Sequence, residues 1–297
     1  AVLDPGGVFN GFGQGVLLGL VQIGGLGITT LSTTLLLLVG QEVSFSSQDA
    51  VQGSFTLNQR VGLGSLLRQV LLWALTIEAL GAVILFLTES QRLPLGQALW
   101  VSVFHAVSAF CNAGFALRPD NLMADRAVAG IVLPISLLII LGGLGFAVLA
   151  ELAYWASRRW RGQRAFLSLH TKVALTMTAA LLAVGMVGFM VLERENLLGG
   201  MDWRDALLAS WFASVTPRTA GFNTIDYGQV TAATLFFTIV LMQIGGCPGS
   251  TAGGFKATTL AVLLAVARAR IRGERGVRLF NRCVPEANVT KATSVVS

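Results

Sequence analysis

A short apolar stretch between two long ones is the feature of this sequence that most restricts its fold. Residues 203–215 have an apolar, helix-like pattern, and the tetrapeptide TAGF follows at 219–222 after Pro217. A helix of this length reaches only about 20 Å, which is too short to cross a bilayer. Because long apolar runs flank it at 171–192 and 230–245, we predict a re-entrant loop. Such backbone is tolerated at membrane depth only where protein or water satisfies its polar groups, as in a pore.

The same arrangement occurs a second time, earlier in the chain. Residues 95–110 form another short apolar segment between long ones, and the tetrapeptide NAGF follows at 112–115. The same order therefore occurs twice: a span, a short helix, a tetrapeptide that ends in AGF, and a second span. This order is an internal repeat. The sequence therefore predicts a helical membrane protein whose pore is built from several similar units around one axis.

Composition supports a membrane protein and argues against other classes. The chain is 54% hydrophobic and only 12% charged, whereas soluble domains carry roughly 25% charged residues. The net charge of +6 does not indicate nucleic-acid binding, because the basic residues cluster just beyond the ends of the apolar runs, as the positive-inside rule predicts. Cys111, Cys247 and Cys283 lie far apart, and their spacing fits neither a metal site nor a disulfide framework.

A glycine-rich segment interrupts the last long apolar run. Residues 245–254 read GGCPGSTAGG, and glycine costs about 1 kcal/mol and proline about 3 kcal/mol in a helix relative to alanine. We therefore predict that this span is broken inside the membrane. The motif GGLG occurs at the corresponding place in two earlier runs, at 24–27 within 12–39 and at 142–145 within 127–155, and each of these runs is expected to form one span.

Charge predicts the orientation. Residues 158–172 carry five basic side chains and no acid, residues 268–282 carry six arginines and one acid, and residues 193–205 carry four acids and two arginines. The number of predicted spans between the two basic segments places both on the same side of the membrane. By the positive-inside rule, this side would be cytoplasmic. The short helices would then enter from outside. Residues 41–60 are expected to form a polar loop.

Four segments resemble the Trk/Ktr/HKT superfamily of cation transporters, and specifically the potassium-translocating membrane subunit of bacterial Trk and Ktr uptake systems. They are QIGGLG at 22–27, SAFCNAGF at 108–115, SVTPRTAGFNT at 214–224 and GGCPGSTAGGFKATT at 245–259. The resemblance implies an all-α membrane fold of four M1–pore helix–M2 units, similar to a K⁺ channel, around a single pore.

The resemblance also divides the chain. Residues 1–40 would hold the M2 helix of repeat 1, residues 41–157 repeat 2, residues 158–282 repeat 3 with its broken M2, and residues 283–297 the beginning of repeat 4. We expect the start of repeat 1 and most of repeat 4 to lie outside this sequence.

Two groups of residues are expected to carry transport. Main-chain carbonyls of the AGF segments would replace the water shell of K⁺, and glycine permits the backbone angles that this needs. This group comprises Asn112, Ala113, Gly114, Phe115, Thr219, Ala220, Gly221 and Phe222. The glycine-rich segment would obstruct the pore below as a gate, which the resemblance also suggests. This second group comprises Gly245, Gly246, Gly249, Ser250, Thr251, Ala252, Gly253, Gly254 and Lys256. The alternatives are tight loops that bind no ion and a kink that only packs.

Three ionisable side chains need separate interpretation. Lys256 either faces the pore or extends along the apolar surface toward the cytosol. Glu78 is an acid within a span, where charges are costly, and we expect it to accept hydrogen bonds behind a pore loop, for instance from Arg218 or backbone N–H groups, rather than to act in ion passage. His105 is expected to pack in its short helix rather than to bind a metal.

The sequence thus predicts potassium uptake across a bacterial inner membrane, with K⁺ as the transported ion, no cofactor and no enzymatic activity. The resemblance implies a homodimer and a cytoplasmic nucleotide-binding regulatory subunit, in addition to membrane lipid and without nucleic acid. Two alternatives stay open. One is a Na⁺-permeable or Na⁺/K⁺ member of the same superfamily, and the other is a coupled secondary transporter of a small solute with discontinuous helices.

Overall fold

The computed structural model describes residues 5–38, 63–273, 276–280, 282–284, 289–290 and 292–293, of which 28–38, 63–67 and 283 are described as backbone only. The predicted loop at 41–60 lies outside the described residues. The helices are α1 (Pro5–Val8), α2 (Gly11–Leu38), α3 (Leu63–Glu89), α4 (Leu95–Phe110), α5 (Ala129–Leu144), α6 (Phe146–Trp160), α7 (Leu169–Leu192), α8 (Trp203–Val215), α9 (Ala232–Gln243) and α10 (Ala257–Ile271). Two-residue strands, β1 (Arg278–Leu279) and β2 (Arg282–Cys283), pair antiparallel.

Long apolar helices are the main elements of the fold. Among the described residues, α7 and the part of α3 from Arg68 to Glu89 are long and apolar enough to cross a membrane. The pair α5 and α6 meets the same test when the two helices are taken together. Their outward faces carry exposed leucine, valine and isoleucine side chains, which suits contact with lipid. The predicted all-α membrane fold with repeated helices is confirmed.

The two short helices lie inside the helical assembly. α4 packs on α3 and α5, and α8 packs on α7. Both helices have the bounds that the sequence predicts. Nearly every residue in the last half of α8 is buried, which indicates that protein rather than lipid surrounds the end of this helix. One hydrophobic core joins α4, α5 and α8 with the segments that follow the short helices.

The three double-glycine motifs adopt three different conformations. α2 continues without a break through residues 24–27, and the chain between α9 and α10 is unwound. α5 and α6 meet at Gly145 with a bend of 104°, and the single span expected at 127–155 stays a prediction, since the two helices meet the membrane test only when taken together. Gly145 has a φ of +86°, and a Cβ atom there would lie 2.8 Å from the carbonyl oxygen of Pro248. The bend therefore depends on glycine and on close approach of the glycine-rich segment.

Candidate functional site

The two AGF loops, defined as residues 112–115 and 219–222, share an unusual backbone conformation. Each begins just beyond a short helix. The first residue of each has a positive φ, 52° at Asn112 and 63° at Thr219, and so does the third, 72° at Gly114 and 78° at Gly221. Asparagine tolerates this region better than most residues, whereas a β-branched residue such as threonine is an outlier there. The likeness seen in the sequence thus extends to the backbone.

The two AGF loops also touch each other through their glycines. A Cβ atom added at Gly114 would lie 2.5 Å from the Cα of Gly221 and 2.6 Å from the carbonyl oxygen of Ala220. A Cβ atom added at Gly221 would lie 3.1 Å from the Cα of Gly114 and 3.7 Å from the carbonyl oxygen of Ala113. Main-chain atoms alone therefore form this contact, and two carbonyl oxygens lie at it.

Polar side chains of the short helices hold the AGF loops. The Ser108 hydroxyl donates to the carbonyl of Phe115 at 2.8 Å and accepts from its N–H at 2.9 Å. In the second copy, the Thr216 hydroxyl donates to the carbonyl of Phe222. His105 accepts from the N–H of Leu117 at 3.2 Å, and its ring meets that of Phe222 edge-on. The packing role predicted for His105 is confirmed, whereas sequence reasoning did not identify the two hydroxyls.

A second set of contacts links the segments that leave the two AGF loops. The N–H of Leu122 donates to the carbonyl of Asn223 at 3.0 Å, and the N–H of Asn223 donates to Oδ1 of Asn121 at 3.0 Å. The segments that follow the two loops are thus bonded to each other.

A buried ion-pair network fixes the segment that follows the first AGF loop. Arg118 binds Glu89 at the end of α3, with a distance of 2.7 Å between Nη2 and Oε1, and it also contacts Asp125. Arg92 binds Asp125 at 2.6 Å, and this hydrogen bond raises the pKa of the Arg92 guanidinium. Glu89 and Asp125 are 1% and 0% exposed. Sequence reasoning did not identify this network, because its bonded pairs lie 7 to 33 residues apart in the chain.

We expect Arg118→Met to destabilise the protein. Methionine preserves most of the apolar stem but leaves Glu89 without the cation that neutralises it, and breaking a buried pair in this way costs about 3–5 kcal/mol. The apparent Tm of the detergent-purified protein should fall clearly below that of the wild type. Arg126, an exposed arginine in the same connection, gives the matched control Arg126→Met, which should leave Tm unchanged. Equal Tm values for the two variants would contradict the structural role of the network.

The glycine-rich loop, residues 245–254, packs against the bend between α5 and α6. The N–H of Cys247 donates to the carbonyl of Gly143 at 2.9 Å, and the N–H of Thr251 donates to the carbonyl of Gly142 at 3.2 Å. In the opposite direction, the N–H of Phe146, at the bend, donates to the carbonyl of Gly249 at 3.3 Å. These contacts satisfy the main-chain groups that the interrupted helices leave free.

The glycine-rich loop also reaches both AGF loops. The Asn112 amide donates to the Thr251 hydroxyl at 2.7 Å, and that hydroxyl donates to the carbonyl of Phe110 at 2.9 Å. The N–H of Gly253 donates to the Thr219 hydroxyl at 3.2 Å. Lys256 donates to the carbonyl of Ala252 at 2.9 Å. Its ammonium therefore folds back onto the loop, and the two alternatives for Lys256, pore-facing or extended toward the cytosol, stay predictions.

Glu78 lies behind the first AGF loop, as expected, but with different partners. It is 3% exposed. The Gln22 amide donates to its two carboxylate oxygens at 2.9 and 3.1 Å, and the Cys111 thiol donates at 3.8 Å. The prediction that Arg218 is a partner of Glu78 is wrong, because Arg218 instead donates to the Thr178 hydroxyl on α7 at 3.3 Å. The reason is the repeat: Cys111 and Arg218 each stand three residues before an AGF glycine, so each contacts the long helix of its own copy.

We expect Glu78→Gln to lower stability while uptake continues. Glutamine retains one acceptor for Gln22 but loses the second oxygen and the charge, and hydrogen bonds to charged groups contribute about 1.5–3 kcal/mol. Thermal unfolding of the purified protein and ion flux should be measured together. Glu195→Gln, at an exposed position, is the control. A Glu78→Gln protein that is folded but transports nothing would show that the carboxylate acts in ion passage.

The cysteines that the structure describes with their side chains, Cys111 and Cys247, are buried free thiols. Among the described residues, no group of three His, Cys, Asp or Glu side chains is placed to hold a metal ion. The AGF loops present main-chain carbonyls at their mutual contact, and main-chain carbonyls are ligands that K⁺ channels use.

Comparison with known proteins identifies relatives along nearly the whole chain. The chain is 39% identical over 297 residues to the Ktr system potassium uptake protein B of Bacillus subtilis, covering 99% of this chain and 65% of that protein. It is 38% identical over 289 residues to the potassium/sodium uptake protein NtpJ of Enterococcus hirae, covering 97% of this chain and 62% of that protein. The chain therefore spans somewhat less than two thirds of the length of these relatives.

A solved structure and a family model agree with these relatives. The crystal structure of the potassium transporter TrkH from Vibrio parahaemolyticus superposes with a TM-score of 0.68 at 17% identity, covering 94% of this chain and 55% of that one. The family model described as TrkH, cation transport protein, matches residues 9–296. The resemblance inferred from the sequence is confirmed. The chain belongs to the TrkH family of cation transport proteins.

Proposed function

We propose that this chain forms the translocating part of a potassium uptake system in a bacterial inner membrane, which it crosses several times. The observation that carries the proposal is the contact between Gly114 and Gly221, with positive φ at both. On this proposal residues 41–157 and 158–282 are repeats 2 and 3, each with an M1 helix, a pore helix and an M2 helix. The relatives named as potassium uptake proteins support K⁺ as the ion.

The AGF loops are proposed to be two strands of a selectivity filter. The carbonyls of residues 112–115 and 219–222 would replace the water shell of a K⁺ ion. Support comes from the carbonyl oxygens of Ala113 and Ala220, which lie at the contact between the loops. Support also comes from the short helices, whose ends are enclosed by protein, as irregular backbone at membrane depth requires.

The glycine-rich loop is proposed to be the gate. It connects α9 to α10. It also contacts the first residue of each AGF loop. An irregular segment beside a filter can obstruct ions in one position and release them in another. Lys256 would stabilise the closed position, since its ammonium binds a carbonyl of the loop itself.

The proposed partners follow from charge and from the relatives. The basic segments 158–172 and 268–282 would face the cytoplasm and offer a docking surface for a nucleotide-binding regulatory subunit. Two copies of the complete protein would form a homodimer. The name of the Bacillus subtilis relative, which places that protein in a Ktr system, favours such an assembly.

Growth at low external K⁺ tests the proposed function. A bacterium that lacks its own K⁺ uptake systems should grow at submillimolar K⁺ when it expresses the full-length gene and should not grow with an empty vector. Absence of growth, with the protein detected in the membrane, would contradict the proposal. The name of the relative NtpJ makes Na⁺ the second candidate ion. Uptake of labelled Na⁺ as fast as that of Rb⁺ would favour the Na⁺/K⁺ alternative.

A further inference from the structure

We propose that the Thr251 hydroxyl, in the gate, positions the first filter residue Asn112, so that the gate sets ion selectivity as well as ion flow. This inference rests on the proposed function and extends it. In the proposed function the filter selects and the gate obstructs. Here one side chain of the gate is a positioning residue for the filter, and displacement of the gate changes both properties together.

The first argument is the backbone conformation of the two residues that open the filter strands. Asn112 and Thr219 are not glycine, yet their φ angles are 52° and 63°. This region is disfavoured for residues with a side chain, because the Cβ atom approaches the following carbonyl oxygen. Such a conformation persists only when the surroundings hold it. The contacts at these two residues therefore decide whether each filter strand keeps its shape.

The second argument is that the gate supplies those contacts. Nδ2 of Asn112 donates to Oγ1 of Thr251 at 2.7 Å, whereas Oδ1 of Asn112 is buried and has no partner among the described residues. The bond to Thr251 thus orients the amide. At the other strand, the Thr219 hydroxyl accepts from the N–H of Gly253 at 3.2 Å. Each non-glycine residue with positive φ in the filter is bonded to the same short stretch of the gate.

The third argument is that the Thr251 hydroxyl is itself fixed. A hydroxyl has one hydrogen to donate, and that of Thr251 goes to the carbonyl of Phe110, at the end of the pore helix, at 2.9 Å. It must therefore accept the bond from Asn112. Gly142 permits this arrangement, since a Cβ atom there would lie 2.0 Å from the Phe110 oxygen and 2.9 Å from the Thr251 Oγ1. Thr251 bridges the pore helix and the filter in one defined orientation.

The decisive variant is Thr251→Val, which keeps the shape of the side chain and removes both hydrogen bonds. Full-length protein in proteoliposomes should show the ratio of Rb⁺ to Na⁺ flux falling about three- to tenfold, the effect of losing one or two hydrogen bonds. We also expect K⁺ to raise the Tm of the purified wild-type protein more than Na⁺ does, and this difference should be smaller in Thr251→Val. Thr176→Val is the matched control, because among the described residues this exposed hydroxyl bonds only to the carbonyl of Lys172 in its own helix. Thr251→Ser keeps the hydroxyl and should keep the selectivity.

A rescue separates positioning from general damage. Glycine adopts positive φ without a Cβ penalty, so Asn112→Gly in the Thr251→Val background should recover much of the lost selectivity. Unchanged selectivity in Thr251→Val, or a loss that Asn112→Gly does not relieve, would refute the inference while leaving the proposed function intact. If Thr251→Val fails to fold, Asn112→Ala removes the same bond from the other side, and wild-type selectivity in that variant would refute the inference. A wild-type protein that passes no Rb⁺ would refute the proposed function and this inference with it.

Discussion

Replacing Gly114 by alanine is expected to abolish potassium-selective uptake. Gly114 has a φ of +72°, and the added Cβ would lie 2.5 Å from the Cα of Gly221 and 2.6 Å from the oxygen of Ala220. Positive φ costs a non-glycine residue about 1–2 kcal/mol, and overpacking costs about 1–3 kcal/mol. Neither neighbour can rotate away, because both are main-chain atoms. Together the two effects correspond to a fall in productive conformers of roughly 30- to 4,000-fold, at about 1.4 kcal/mol per factor of ten.

Uptake of labelled Rb⁺ into cells, with and without excess Na⁺, measures this effect. Gly200→Ala is the matched control, since a Cβ atom there meets nothing within 4 Å. Gly221→Ser should lower the ratio of Rb⁺ to Na⁺ uptake in the same direction but less severely, because its nearest contact is 3.1 Å. Wild-type uptake and selectivity in Gly114→Ala would exclude these loops as the filter.

Deleting residues 249–253 is expected to raise ion flux strongly. The deletion removes the part of the glycine-rich loop that contacts the AGF loops, while the bond from the N–H of Gly245 to the carbonyl of Phe255 at 2.9 Å can still close its base. If the loop obstructs the path 99% of the time, its removal increases flux up to about 100-fold. Rb⁺ efflux from proteoliposomes of the full-length protein measures the change directly.

A point variant tests the proposed gate with a closer control. A Cβ atom added at Gly245 would lie 1.7 Å from the carbonyl oxygen of Gly253, so Gly245→Ala must displace the loop and should also raise flux. Gly276→Ala, where a Cβ atom meets nothing within 4 Å, should not. Wild-type flux in both the deletion and Gly245→Ala would show that the segment only packs.

The positions of the short helices could be predicted because local signals define them. α4 and α8 are apolar segments too short for a bilayer, and residues that interrupt the pattern follow them, Asn112 and Gly114 after α4 and Pro217 after α8. The broken helix between α9 and α10 could be predicted for the same reason, since glycine and proline disfavour a helix wherever they occur. In both cases the cause lies within a few residues of the effect.

The bend at Gly145 and the partners of Glu78 could not be predicted, because distant segments determine them. The motif GGLG occurs in α2 as well, where the helix continues. Only the second copy bends, and it does so where Pro248 and Gly249 approach Gly145. Likewise Gln22 reaches Glu78 from another helix. A single sequence carries no signal for contacts between distant segments. The spacing of residues within one copy, in contrast, does indicate the elements of that copy.

The three conformations of the double-glycine motif distinguish this chain from channels assembled from identical subunits. In a symmetric tetramer every alteration of an inner helix appears four times, so an obstruction in one subunit is an obstruction in all. Here one copy is straight, the next is bent, and the third is unwound. Similar segments within one polypeptide can differ from one another, because each has its own sequence. On the proposed function, a single unwound helix would close the path while its neighbours keep the rigidity that ion discrimination needs.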